Sequence, residues 1–290
     1  HGNCMLRENL CYNVFSLTEE DSMEQATATL ENVKTDAYNK DKLLFDVALC
    51  AGVILMENGA ETYRVEDTME RILSLSRHRE MDVVALLTGL YVTLTLEDHR
   101  YLTAVRRIKD RTFRLEKIRG VNTISRRLAG HDLTIEQAYE MLKDIAEDKE
   151  PIRFSKVYHA IGAAGFALMC GGNLVESVIA GLAACSIILT NKLVQHRVTG
   201  SFIPSFLHAF VMIFVLGVVV RFFPVLRIDR MAIGALISLF PGTTLTNGIR
   251  DTMRADYLTG VGNLLAAIIS GTALAAGTFF ALALTGGFFL

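Results

Sequence analysis

The stretch Phe240–Tyr257, FPGTTLTNGIRDTMRADY, gathers the side chains best equipped to hold a small polar solute. Pro241 lacks a backbone donor and Gly242 loosens the helix beside it, so an apolar helix that reaches this pair breaks. The amides and carbonyls freed by a break must be satisfied by protein or water, because lipid cannot do it. Broken membrane helices of this kind build polar sites from backbone groups and nearby hydroxyls. Thr243, Thr244, Thr246, Asn247, Arg250 and Asp251 follow the break. With the backbone at Pro241 and Gly242 they form a candidate solute- or ion-binding set. Arg250 suits a carboxylate, the hydroxyls and Asn247 suit orientation, and Asp251 suits an amine or a proton. A second reading ends the span at Pro241 and leaves 240–256 as a solvated cytoplasmic loop. The sequence supports both.

Glu176 is the only charged residue between Val157 and Thr190. It reads as a proton carrier or as an interfacial carboxylate near a helix N-terminus. Glu57, Glu61, Glu66, Asp67 and Glu70 cluster around Asn58-Gly59. Paired carboxylates can do acid–base work, but Glu61, Arg64, Asp67 and Arg71 fall at i, i+3 and i+4 spacings, which favours ordinary helix-surface pairing. His78, His99 and His131 are scattered, and there is no H-E-x-x-H, Walker loop or G-x-S-x-G, which argues against an ATP-driven pump. Cys4, Cys11, Cys50, Cys170 and Cys185 make no C-x-x-C pair, so packed, reduced thiols are expected rather than disulfides or a zinc site. Neither a metal nor a cofactor is expected. Arg106, Arg107, Lys109, Arg111, Arg114, Lys117 and Arg119 form a basic cluster that suits anionic lipid or a partner.

The elements that position these residues divide sharply. Residues 1–150 hold 20 Lys+Arg and 27 Asp+Glu, a net of −7, whereas 151–290 hold 9 and 4, a net of +5. The long apolar runs lie in the second part. The division near Pro151 predicts a flexible tail over 1–38, a soluble α+β domain over 39–150 and a helical membrane domain over 151–290. The net −7 argues against nucleic-acid binding. HGNCMLREN lacks the apolar core of a signal peptide, so the N-terminal domain is expected in the cytoplasm. Without an initiator Met, residue 1 reads as a tag remnant, a truncation, or a position ahead of a start at Met5.

In the first part, Lys42–Met56 reads as a helix stopped at Asn58-Gly59, and Ala60–Arg77 as a second with Val65, Met69 and Ile72 in register. Met81–Leu87, Tyr91–Leu96 and Tyr101–Ile108 read as strands, with a turn at Glu97-Asp98-His99. Two helices follow, the second opened by a Thr134-x-x-Gln137 capping box.

In the second part, about five spans are expected: 157–170, 174–190, Phe202–Val220, an interrupted one at Met231–Phe240, and one within Tyr257–Leu290. Lys192 and Arg197, and later Arg250 and Arg254, mark cytoplasmic links, and the uncharged Gly171–Asn173 link fits the outside. Arg221, Arg227 and Arg230 would then lie outside, against the rule. Ala267, Gly271 and Ala275 form a small-residue stripe that suits close helix packing or a dimer interface, although such residues are common in any membrane helix.

Two stretches carry a family resemblance: AGVILMENGAETYRVEDTMERI (Ala51–Ile72) and PGTTLTNGIRDTM (Pro241–Met253). With the layout of a soluble domain before five spans, the chain resembles the N-terminal domain of the threonine/serine exporter family over about residues 40–285. The resemblance rests on Glu57, Asn58, Gly59, Ala60 and Glu61, whose role it leaves open, and on Pro241, Gly242, Leu245, Asn247 and Asp251. It implies an inner-membrane secondary transporter, driven by the proton motive force, that expels small polar metabolites. The chain looks like the split form, similar to the large subunit of a two-subunit bacterial succinate exporter. Threonine or serine export and dicarboxylate export are both implied, as are a smaller second membrane subunit and a homo- or hetero-oligomer in lipid. A membrane-anchored, hydrolase-like enzyme or a regulatory scaffold using residues 39–150 stands as the alternative; five spans are more than an anchor needs.

Overall fold

The computed structural model describes residues 38–76, 80–96, 100–109, 111–148, 155–194 and 200–286. The tail expected before residue 38, the turn at 97–99, and Cys4, Cys11, His78, Pro151 and Arg197 lie outside them. The chain divides into two compact units, one ending at Glu147 and one beginning at Asp148.

The first unit opens with helix α1 over residues 38–57. Leu44, Val47, Ala48, Ala51 and Leu55 recur at helical spacing and are buried. Helix α2, Thr62–Leu73, buries Val65, Met69 and Ile72 as the periodicity requires. Strands β1 (Met81–Leu86), β2 (Gly89–Thr95) and β3 (Tyr101–Arg107) form an antiparallel sheet in that order. Val83, Ala85, Leu90, Val92 and Leu94 alternate into the core, while Val84, Tyr91 and Val105, aligned across the strands, face outward. Helices α3 (Leu115–Ala129) and α4 (Ile135–Glu147) complete the unit. Both bonds of the expected capping box form: Gln137 N donates to Thr134 Oγ1 at 3.2 Å, and Thr134 N donates to Gln137 Oε1 at 3.1 Å. The basic cluster is partly consumed internally, with Arg111 donating to Leu87 O and Lys117 to Ala146 O.

The second unit holds α5 (Ser155–Met169), α6 (Leu174–Ala184), α7 (Ile187–Val194), α8 (Phe202–Phe222), α9 (Ile228–Ile237), α10 (Gly242–Met253) and α11 (Tyr257–Thr285). Its core inverts the first unit's. Ala163, Ala167, Ala180, Ala183, Ala184, Ala235 and Ala281 are buried, while Leu182, Phe222, Val225, Ile268 and Phe279 face outward. Met212, Ile213, Leu216 and Met231 are buried with them, but the many buried alanines and the outward-facing large apolar side chains suit a lipid surround, where close backbone packing joins helices.

Helices α8 and α11 are long and apolar enough to cross a membrane, and α9 with α10 forms a third candidate span bent by 61°. The remaining two expected spans are shorter: α5 has 15 residues and α6 only 11. The expected span 174–190 is interrupted at Cys185-Ser186, where Cys185 N and Ser186 N bond three residues back, to Leu182 O and Ala183 O. The segment after Pro241 is a helix, not a loop, so the polar stretch keeps helical register.

Helices α8 and α11 run parallel. A Cβ on Gly217 would meet Thr285, and one on Gly277 would meet the backbone of Phe206 and Phe210. With Gly277 level with residue 208, the start of α11 overshoots the start of α8 by roughly 20 Å at 1.5 Å per residue. The bent α9–α10 pair carries the chain back between them. In the small-residue stripe Ala267 is buried, whereas Gly271 and Ala275 line an apolar cleft of about 530 Å³ with Ile233, Ile237, Phe240 and Phe279.

Candidate functional site

Helix α9 stops at Ile237, and Pro241 takes the cap position of α10. Gly242 N turns back to Phe240 O at 2.8 Å, and Leu245 N begins the new helix by donating to Pro241 O at 3.0 Å. The proline thus breaks the span as its missing donor dictates, and the chain resumes as helix within one turn.

Helical register sorts the candidate residues. Thr243 and Thr246 are exposed, and the Thr246 hydroxyl donates to Gly242 O in its own helix at 2.9 Å. Thr244, Asn247 and Arg250 are half-buried, and Asp251 is buried, with 1% of its surface exposed. Thr244, Asn247 and Asp251 share one face at i, i+3 and i+7.

Helix α10 meets α11 through Gly248, Asp251 and Thr252, and the two helices touch almost backbone to backbone. A Cβ on Gly248 would sit 2.9 Å from Leu264 N, and one on Gly260 would sit 2.8 Å from Thr252 N. In this seam Asn263 Nδ2 donates to Asp251 Oδ2 at 3.0 Å. The turn between the helices is fixed by Asp256 N donating to Asp251 O at 3.0 Å, with Ala255 held left-handed at φ 68°. A non-glycine residue there costs about 1–2 kcal/mol, so the turn is strained beside the buried carboxylate.

Asn263, the buried partner of Asp251, is a residue that the sequence reading missed. It was findable: Tyr257–Leu290 contains no charge, and Asn263 is its only amide side chain. A polar residue at that depth of an apolar helix has to find a partner.

Glu176 lies elsewhere in the unit, buried to 2% exposure in the first turn of α6. Its carboxylate completes a capping box with Asn173, accepting from Asn173 N at 2.8 Å, and its second oxygen accepts from Arg227 N at 2.9 Å. Arg230 donates to Gly171 O. The α5–α6 and α8–α9 links therefore sit together at one end of the helices. Arg227 and Arg230 thus have partners within these links. Arg227 pairs with Asp229 at 3.3 Å, and Arg230 serves the neighbouring link.

The Asn58–Glu61 segment has a structural job. Gly59, at φ 82°, ends α1, with Ala60 N bonding back to Leu55 O at 3.0 Å. Asn58 Nδ2 donates to Ile54 O at 2.7 Å, and Thr112 N donates to Glu57 O at 2.7 Å, which pins the approach to α3. Asp67 pairs with Arg71 at 2.6 Å on the surface as expected, whereas Glu61, paired with Arg64 at 3.0 Å, is largely buried. Glu66 Oε1 accepts from Ala85 N at 2.8 Å, tying α2 to β1.

No curated protein and no solved structure shows a significant match to the chain. A sequence profile of the threonine/serine exporter family matches residues 46–285, which include the Asn58 turn, the break at Pro241 and the Asp251–Asn263 seam. That match covers most of the chain, and the apolar helices agree with it: the protein belongs to the threonine/serine exporter family, a family of membrane transporters.

Proposed function

We propose that the chain is a subunit of an inner-membrane secondary transporter that exports small polar metabolites, driven by the proton motive force and working with a smaller membrane partner in an oligomer. The solutes are threonine and serine, or a dicarboxylate such as succinate. The five spans are α5, α6 with α7, α8, the bent α9–α10 pair, and α11. The N-terminal unit is cytoplasmic, and the Gly171–Asn173 link lies outside. Two observations support this path: α8 and α11 run parallel with a bent return between them, and the two links proposed as external touch through Glu176, Arg227 and Arg230.

The observation that carries the site is Asp251, a buried carboxylate one short helix beyond a proline break. Our solute set is the backbone at Pro241 and Gly242 with Thr243, Thr244, Thr246, Asn247, Arg250 and Asp251. A carboxylate in a poorly hydrated seam attracts an ammonium group and repels a second anion. Among the solutes considered, this favours the zwitterions threonine and serine over succinate, with Arg250 receiving the carboxylate. The test is efflux of labelled threonine, serine and succinate from cells carrying the chain and its partner, with membrane insertion checked. Asp251→Asn and Arg250→Ala are expected to reduce amino-acid efflux at least about tenfold, the loss of one charge-assisted contact. Wild-type efflux from both well-inserted variants would remove the site. Efflux of succinate alone would reverse the solute order.

A further inference from the structure

We propose that Asn263 is a positioning residue of the transport site, holding the Asp251 carboxylate in the orientation that receives solute; this rests on the reading of Asp251 given above. Three observations carry it. The Asn263 amide donates to Asp251 Oδ2 at 3.0 Å, and both side chains are buried. The helices around them approach through Gly248 and Gly260, whose missing side chains let backbone meet backbone. Their separation is therefore set by glycine contacts on either side of the pair, and the amide is not needed to draw them together. Finally, a carboxylate has two oxygens, and engaging one with a fixed donor orients the other.

Arg250 and Arg254 lie on α10, Asp256 lies in the turn, and α11 contributes no charged residue, only Tyr257, Thr259 and Asn263 near this end.

The experiment measures labelled threonine uptake into inverted membrane vesicles containing the full chain and its partner subunit, for wild type, Asn263→Ala and Asp251→Asn. Threonine concentration is varied, and thermal unfolding of each purified chain is followed in parallel. Asn263→Ala is expected to raise the half-maximal threonine concentration by about tenfold to a hundredfold, the range for losing a hydrogen bond to a charged group. The maximal rate should change less. If Asn263→Ala lowers only the unfolding midpoint and the maximal rate, Asn263 is helix glue and the inference fails. If it behaves as wild type while Asp251→Asn abolishes transport, the inference fails and the site stands. If Asp251→Asn transports normally, the site itself is wrong. Should Asn263→Ala fail to insert, Asn263→Ser, which keeps a shorter donor, is read by the same criteria.

Discussion

Replacing Glu176 separates two roles for a buried acid. In the structure its oxygens accept from the backbone amides of Asn173 and Arg227 at 2.8 and 2.9 Å. Alanine leaves both donors without that partner. Each charge-assisted bond to this buried carboxylate contributes about 1.5 kcal/mol, so Glu176→Ala should cost about 3 kcal/mol. For a chain of this size that lowers the unfolding midpoint by roughly 6–12 °C. Glutamine keeps one acceptor but turns an N–H toward the other donor, so Glu176→Gln should lose about half as much. The assay is thermal unfolding in detergent by circular dichroism, with threonine export measured on the same variants. A structural anchor predicts that Glu176→Gln still exports. If Glu176→Gln melts like wild type yet exports nothing, Glu176 carries a proton and this reasoning is refuted.

Two further outcomes follow from the first unit. Gly59→Ala puts a side chain at φ 82° with its Cβ 3.0 Å from the Phe113 ring. It should cost at least about 1–2 kcal/mol, and an unchanged melting temperature would refute the turn assignment. Burial, with the nearby Glu57 charge adding to it, holds the Cys50 thiol above its ordinary pKa. A raised folded pKa contributes stability that is present below the unfolded value and lost as pH rises through the folded one. The first unit should therefore lose stability as pH climbs past the ordinary thiol range, and Cys50→Ala should remove that dependence. An identical alkaline slope in the variant would refute it.

The first unit was legible because each signal was local. The Val65, Met69 and Ile72 spacing, the Asn58-Gly59 stop and the Thr134–Gln137 box each act within one turn, and each forms as read. In the second unit the break at Pro241 was legible for the same reason, since a missing donor acts where it stands. The break at Cys185-Ser186 had no proline or glycine to announce it, and apolarity alone ran on to Thr190. The second donor to Glu176 is Arg227, which lies 51 residues away, so this contact had no local signal in the sequence. Asn263 escaped because its importance depends on a partner 12 residues distant across a turn, and because charge, not amide content, had been the filter.

The overshoot of α11 makes the α10–α11 hairpin a cantilever. Its root is clamped along α8, and α10 packs chiefly against α11. Over an arm of roughly 20 Å, a tilt of about 15° carries the tip by roughly 5 Å, close to one helical turn. The buried carboxylate thus sits on the overhanging arm and not in the clamped root, and the proline joint marks where the returning chain passes from one to the other.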